Sequence, residues 1–385
     1  MMAKRVPIDT YCEKKIPTLQ KTYDGLIDYV DISSVDNTEK KIISYQTIES
    51  TDAPSRAKQL LQKGDVLVST VRPNLNAVAV VEEETENLMV GSTGYCVLRC
   101  KDNMDVRYLF NFCQSQYFVD DMSSQATGAS YPAVSNGIVR SALIPCYSIE
   151  EQREIAEKMD TVSELLVLRK QQLAELDELI KSRFIELFGD QETNPYNLNV
   201  GKLSDVAEIY LGLTHTPTYV EQGKPFLSVR DISSGVIDFS NCHYITEEEF
   251  CSLPNGARPQ IGDMLFCRVG TIGKPVIIPE NTPEFGTFVS VGYLRRKANV
   301  NNYYLKSWME NDYFMRQVYD NVAGASQINL NTGWLKNFRI LIPSMELQEQ
   351  FAAFVEQTDK SKLVVQQSIA ELEELKKSLM QKYFG

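Results

Sequence analysis

The feature that most constrains this chain is that it is written twice. The stretch "YVDISSVD", Tyr29–Asp36, has its echo in "VRDISSGVID", Val229–Asp238. Further pairs follow in the same order. "LLQKGDVLVSTVRP" (Leu60–Pro73) answers to "RPQIGDMLFCRVGTIGK" (Arg258–Lys274), aligning Gly64-Asp65 with Gly262-Asp263. "STGYCVLR" (Ser92–Arg99) matches "SVGYLRR" (Ser290–Arg296), and Tyr108-Leu109 falls against Tyr304-Leu305. "ATGAS" matches "VAGAS", "ALIPCYSIEEQ" (Ala142–Gln152) matches "ILIPSMELQEQ" (Ile340–Gln350), and "FIELFG" ending at Gly189 matches "LMQKYFG" ending at Gly385. Ordered echoes at offsets between 196 and 200 make a tandem duplication with its boundary near Gly189.

Each copy has one plan. About 145 residues rich in short strand-like runs and Gly/Pro/Asn turns come first, at 1–146 and 190–345. An Ile-Pro dipeptide ends that region, and a stretch free of Pro and Gly follows, within 147–189 and 346–385. Ile155, Met159, Val162, Leu166, Leu173, Leu176, Ile180 and Leu187 recur there at alternating four- and three-residue steps, interrupted by Arg169 and Arg183. Val365, Ile369, Leu372, Leu379 and Tyr383 continue the pattern in the second stretch, with Lys376 breaking it. Such heptads predict a coiled-coil seam on helices of roughly 55 Å, at 1.5 Å per residue. Two equal seams in a duplicated chain favour antiparallel pairing as a pseudo-dimer; packing of each helix on its own globular domain is the alternative. The predicted class is α+β: two twisted-sheet domains, each with a long helix, the helices forming an antiparallel coiled coil.

Composition removes several chemistries. At 385 residues the chain exceeds one ordinary core. It contains no apolar run of membrane-spanning length, and its basic start "MMAKRVPIDTYCEKK" has no apolar core behind it, so a cytoplasmic location is expected. The eight cysteines form no Cys-x-x-Cys pair and the only histidines are His215 and His243, which points to buried reduced thiols and no metal site. "NPYN" (Asn194–Asn197) superficially resembles an adenine-methyltransferase motif, but no Gly-rich cofactor loop precedes it, and Asn-Pro after a helix end reads as linker. With no P-loop and no nucleophile triad either, the chain is expected not to be an enzyme.

The layout resembles the specificity (S) subunit of type I restriction–modification systems across essentially the whole chain. The marks are "GDVLVSTVRP" and "GDMLFCRVGTIGK", "GAS" before a short polar stretch, "LIP" followed by Glu-Gln, and the "FG" helix ends. The resemblance implies target-recognition domain 1 at 1–146, spacer helix 1 at 147–189, target-recognition domain 2 at 190–345 and spacer helix 2 at 346–385. It further implies a non-catalytic chain that reads double-stranded DNA and serves defence against foreign DNA. Two methyltransferase (M) subunits and restriction (R) subunits would dock on the helices. S-adenosylmethionine, ATP and Mg would sit on those partners and none in this chain, with no membrane involved.

Two similar domains related by a pseudo-dyad should read two half-sites separated by an unread spacer. The copies diverge most outside the shared motifs, as "AEIYLGLTHTPTYVEQGKPF" against "DTYCEKKIPTLQKTYDGLID" shows, so the target is expected to be asymmetric. The strand-to-turn segments after each Gly-Asp are the first candidates for contact. Arg268, Thr271 and Lys274, with Gly270 and Gly273 between them, offer cations and close backbone approach; Arg72, Asn74 and Asn76 take the matching place, where Asn can pair bidentately with adenine. A plain hairpin turn with Arg72 in a local salt bridge is the competing reading. Ser130 and Tyr131 in "TGASYPAVSN", and Ser326, Gln327 and Asn329 in "AGASQINLN", are second, followed by Arg230 with Lys224 before it. His215 in "LTHTPT" reads as a solvated loop residue, and "EEETE" (Glu82–Glu86) as a hairpin tip turned from phosphate.

Charge leaves a rival open. The net charge is −12, which suits a coiled-coil scaffold or adaptor that never meets DNA. Yet residues 147–189 and 346–385 together carry 11 Lys/Arg against 17 Asp/Glu, half of the whole excess, so both globular stretches are near neutral. A recognition half of a larger, split modification enzyme is a third reading.

Overall fold

A computed structural model describes residues 4–322 and 329–385. The chain divides into two compact units, residues 1–170 with 366–385 and residues 171–365. Each long helix therefore belongs partly to one unit and partly to the other. The first runs Ile149–Phe188 and the second Met345–Phe384, 40 residues apiece.

In unit 1 a four-stranded sheet has the order Gln46–Glu49, Leu26–Val30, Leu88–Ser92, Ala57–Leu60, with its two central strands parallel. Beside it lies an antiparallel sheet of Tyr95–Leu98, Val66–Ser69 and Val78–Val80. The strand after Gly64-Asp65 is buried at all four positions, which is why "VLVS" is apolar without alternation. Arg5–Pro7 pairs with Leu143–Pro145, just before the long helix. The largest core gathers Tyr108, Leu109, Phe112 and Phe118 with Ile155 and Met159 of the first long helix and Phe384 of the second.

Unit 2 repeats this plan. Ala207–Leu211, Val291–Arg296, Met264–Cys267 and Val276–Ile277 form one sheet. His243–Ile245, Lys224–Leu227 and Gly286–Thr287 form a second, its last pair parallel. Asn199–Lys202 pairs with Arg339–Ile342. Its core places Tyr304, Leu305 and Trp308 against Phe351 and Val355 of the second helix and Phe184 and Phe188 of the first.

Within each unit the helix segments run antiparallel. In unit 1, Lys170 faces Glu373 at 3.7 Å, while Leu379 and Tyr383 pack with Ile155 and Met159. In unit 2, Lys362 Nζ meets Asp177 at 2.6 Å and Arg183 lies over Phe354. The predicted seam is the inward stripe: Ile155, Met159, Val162, Leu166 and Val365 are buried, and Leu173, Leu176, Ile180, Leu187, Ile369 and Leu372 half-buried. The interruptions sit at the same depth. Lys376 is half-buried there, and burial pushes its ammonium below its ordinary value.

Two of the sequence echoes are out of register with the fold. Strand pairing sets Val66 against Leu98 and Met264 against Leu294, and the Asp65–Arg99 ion pair recurs as Asp263–Arg295. Arg99 thus answers to Arg295, and the Gly-Tyr of the two motifs stand two residues apart. The same holds after the next strand, because Tyr108 donates to the Pro145 carbonyl and Tyr304 to that of Leu341 rather than Pro343. A two-residue slip leaves each side chain on its own face of a strand, so the hydrophobic pattern tolerates it. "DISS" also changes phase: Asp31 caps a 3-10 turn over Ile32–Ser34, whereas Asp231 closes one over Val229–Asp231.

Candidate nucleic-acid interface

In both units the chain after the Gly-Asp strand is bonded to the polar loop that precedes the long helix. Arg72 N–H donates to Pro132 O at 2.7 Å, Val134 N–H to Thr70 O at 2.9 Å, and Val71 bridges Ala133. In unit 2, Leu330 N–H donates to Arg268 O at 2.9 Å and Val269 bridges Asn329. The two segments favoured from sequence are therefore neighbours in each copy.

This pairing re-aligns the candidates. Val71 answers to Val269, so Thr70 stands where Arg268 does and Arg72 where Gly270 does. The two arginines are not counterparts. At the shared position the backbone is left-handed in both copies, with φ +50° at Arg72 and +75° at Gly270. Glycine adopts that conformation freely, whereas a side chain costs about 1–2 kcal/mol. Copy one thus holds an arginine where the turn calls for glycine.

Arg72 is exposed, and its guanidinium lies over the Tyr131 ring, 4.8 Å from the centroid, instead of in the salt bridge considered above. Tyr131 is itself 68% exposed. Asn74 and Ser130 are exposed beside them. Asn76 is not available: its Nδ2 donates to Cys113 O at 2.8 Å and its Oδ1 accepts from Lys40 Nζ at 2.9 Å. It braces the turn from behind. Burial, and secondarily the charge of Lys376, push the Lys40 ammonium down to about 8.

Unit 2 sorts the same way. Arg268 is half-buried and spent inside the protein, donating from Nε to Leu330 O at 3.0 Å, from Nη1 to Val289 O at 3.0 Å and from Nη2 to Asn329 Oδ1 at 3.3 Å. It ties the two loops together; Thr70, at the same place in copy one, turns its hydroxyl instead to Gly94 O at 2.9 Å, outside the polar loop. Asn329 is exposed but holds Arg268. Thr271 and Lys274 are exposed on the Gly270–Gly273 turn. Arg230 is committed to Asp231 and to the Asn241 carbonyl, and Lys224 to Glu247 and Glu284. Ser326 and Gln327 lie outside the described residues. His215 and four of the five residues in "EEETE" are exposed.

Behind each loop pair stands a support that sequence reading did not single out. Asp65, fully buried, binds Arg99 bidentately at 2.8 and 2.7 Å and caps the Gln62 N–H at 2.9 Å. Asp263 binds Arg295 at 2.9 and 2.7 Å and caps Gln260 N–H at 2.7 Å. The Gly-Asp echo was the visible half of this ion pair; its basic partner lay a strand away. The contact to Asp holds both guanidinium groups above their ordinary range.

Among the described residues no group of His, Cys, Asp and Glu is placed to hold a metal ion, and no helix is long and apolar enough to cross a membrane. The family model of the type I restriction modification DNA specificity domain matches residues 9–178 and again 195–374. Three relatives come from Methanocaldococcus jannaschii. The MjaIX specificity subunit is 21% identical over 84% of this chain and 77% of its own length. The MjaVIII specificity subunit is 21% identical over 67% and 65%, and a putative MjaX specificity subunit is 28% identical over 49% and 46%. The match thus spans less than two thirds of the last two. Among solved structures, a chain from work on complex assembly and conformational transition of the type I R-M system superposes with a TM-score of 0.64 at 24% identity, covering 100% of this chain and 97% of that one. The S subunit of a type I restriction–modification system from M. genitalium gives 0.57 at 15% identity, covering 99% and 96%.

Proposed function

This chain belongs to the type I restriction–modification DNA specificity family, and on that premise we propose that it reads an asymmetric, bipartite double-stranded DNA target, one half-site per recognition domain. The observation that carries this is the shared loop frame with unlike contents. Equivalent backbone positions hold Arg72 in one copy and Gly270 in the other, on loops bonded together in the same way. A constant frame with variable exposed groups is what reading two different half-sites requires.

In domain 1 (residues 1–146) the reading groups are Arg72, Asn74, Ser130 and Tyr131; in domain 2 (190–345) they are Thr271 and Lys274, together with Ser326 and Gln327 of the "AGASQINLN" sequence. Asn76, Arg268 and Asn329 hold these loops, Arg230 is committed to Asp231 and the Asn241 carbonyl, and none of the four is assigned as a reader. Arg72 suits a guanine edge or a phosphate, and Tyr131 keeps its guanidinium extended.

The chain works without catalytic groups of its own, in the cytoplasm, beside methyltransferase and restriction subunits that bring S-adenosylmethionine, ATP and Mg. Docking on the spacer helices (147–189 and 346–385) is supported by apolar positions that both copies leave in solvent. Val167 and Leu363 are 59% and 56% exposed, Leu168 and Val364 59% and 65%, and Leu179 and Leu375 48% and 46%. Exposed apolar groups repeated at equivalent positions mark a surface meant to be covered.

The test is single-molecule mapping of modified bases in host DNA with and without this chain. The expected result is a bipartite adenine-methylated motif that disappears on deletion, and whose one half changes when the loops of one domain are exchanged. If purified chain with its methyltransferase partner binds DNA with no sequence preference and no dependence on salt, the scaffold reading takes its place.

A further inference from the structure

Four of the eight cysteines lie in the main core of unit 1 or against it: Cys12, Cys96 and Cys113 are buried, and Cys100 is half-exposed at its edge. DNA recognition has no use for a thiol, so their arrangement asks for a separate account. Cys96 and Cys113 are each 1% exposed or less, and burial pushes both thiols up, which makes them inert. Cys12 and Cys100 differ, because the backbone sets them side by side.

The two residues form an antiparallel bridge. The flanking bonds run from Glu13 N–H to Arg99 O at 2.8 Å and from Lys101 N–H to Tyr11 O at 2.9 Å. Cys12 and Cys100 are thus a pair enclosed by the hydrogen bonds and making none with each other through the backbone. Pairs of that kind bring their Cα atoms to about 4.5 Å with side chains on one face, inside the roughly 4.4–6.8 Å that a disulfide spans. The neighbouring Cys100 side chain, with the charges of Arg140 and Lys101, lowers the Cys12 thiol against the effect of its burial. Cys12 and burial together raise that of Cys100.

We propose that Cys12 and Cys100 are a reversible, disulfide-forming modification site, oxidised by peroxide. One sulfur of the pair attacks a peroxide oxygen, the O–O bond breaks, and a sulfenic acid and water form. The other sulfur then attacks the oxidised one, the S–O bond breaks, and hydroxide leaves as water with the remaining thiol proton. Two thiols and one hydrogen peroxide become one disulfide and two waters, two electrons passing from sulfur to oxygen. A thiol reductant reverses the step by exchange at the half-exposed Cys100 sulfur.

The bond would close a long loop of unit 1. It would fasten the segment of Arg5–Glu13 to the residue that follows Arg99, the arginine paired with Asp65 behind the Arg72 loop. Oxidation therefore stiffens the frame of one recognition domain and leaves its twin untouched, since the matching strand pair in unit 2 is Ala207 and Arg296.

The experiment exposes the whole folded protein to hydrogen peroxide, blocks remaining thiols, and maps peptides by mass spectrometry without reduction. The expected product is a Cys12–Cys100 cross-linked peptide, 2 Da lighter than its two parts, that vanishes on adding dithiothreitol. The natural protein should then melt about 5 °C higher oxidised than reduced, a shift absent in Cys100→Ser. Cys100 carried on to sulfinic or sulfonic acid with Cys12 still free, or either residue joined to Cys113 or Cys96, would overturn the proposal. The peptide map is made on the natural sequence, so it decides the matter even where the serine variant folds poorly.

Discussion

Gln152 Oε1 accepts the Asp105 backbone N–H at 2.9 Å, while Nε2 of the same amide donates to the Tyr147 carbonyl at 3.0 Å and to that of Asn103 at 3.3 Å. Gln348 repeats all three bonds, accepting from Asn301 N–H and donating to the carbonyls of Pro343 and Asn299. Both side chains are 1% exposed or less. Each glutamine fastens the first turn of a long helix to the loop that opens the helical part of its domain. Gln152→Ala would strand three backbone groups out of reach of water. A loss of about 2–4 kcal/mol in urea-induced unfolding is expected, and Gln152→Glu, which keeps the acceptor but not the donor, should fall between.

The Asp65–Arg99 and Asp263–Arg295 pairs should behave alike despite lying in different units. Removing one partner leaves the other's charge poorly compensated, and Asp65 has no exposure to relieve it. Arg99→Met is expected to cost about 3–5 kcal/mol, measured by thermal or urea unfolding. Arg295→Met should cost somewhat less, since its side chain is 31% exposed against 16% for Arg99.

The left-handed arginine separates reading from folding. Arg72→Gly relieves the backbone while adding freedom to the unfolded chain, so stability should stay equal or rise by about 0.5 kcal/mol. DNA affinity should fall, with a salt slope shallower by about 0.9 if a phosphate contact is lost, or with relaxed preference at one position of one half-site if a base contact is lost. Arg268→Met should do the reverse, destabilising unit 2 because Leu330 O and Val289 O lose their donor. Titration of binding against salt, with unfolding curves for both variants, tells the two roles apart.

Lys40 makes a prediction about pH. Its folded value of about 8 lies below the ordinary 10.5, so between those values the unfolded chain holds a proton that the folded one has lost. Stability contributed by this group therefore rises with pH from about 8 to 10.5, and below pH 8 its full cost is present. Since the group is partly solvated, screening reduces the size to about 1–2 kcal/mol. The difference in unfolding free energy between the natural protein and Lys40→Met, followed from pH 7 to 9.5, should grow in favour of the natural protein.

What the sequence by itself determined is the architecture. Ordered echoes established the duplication, seven-residue periodicity marked the inward stripe from Ile155 to Leu187, and Gly-Asp located the strand before each exposed loop. These are properties of local pattern, legible because period and burial are coupled along one helix or strand. Tertiary structure alone decided which nominated residues are free to meet a ligand. Asn76 and Arg268 look like readers in the sequence and are struts in the fold, because their partners at Cys113 and Val289 lie 37 and 21 residues away. Two-residue slips in the Gly-Tyr and Ile-Pro echoes went unseen for a related reason: a strand has period two, so the hydrophobic pattern reads the same before and after the slip, and only hydrogen-bond register distinguishes them. The left-handed turn that equates Arg72 with Gly270, and the bridge that seats Cys12 beside Cys100, are backbone facts of the same kind, fixed by which segments pair and not by any residue's own preference.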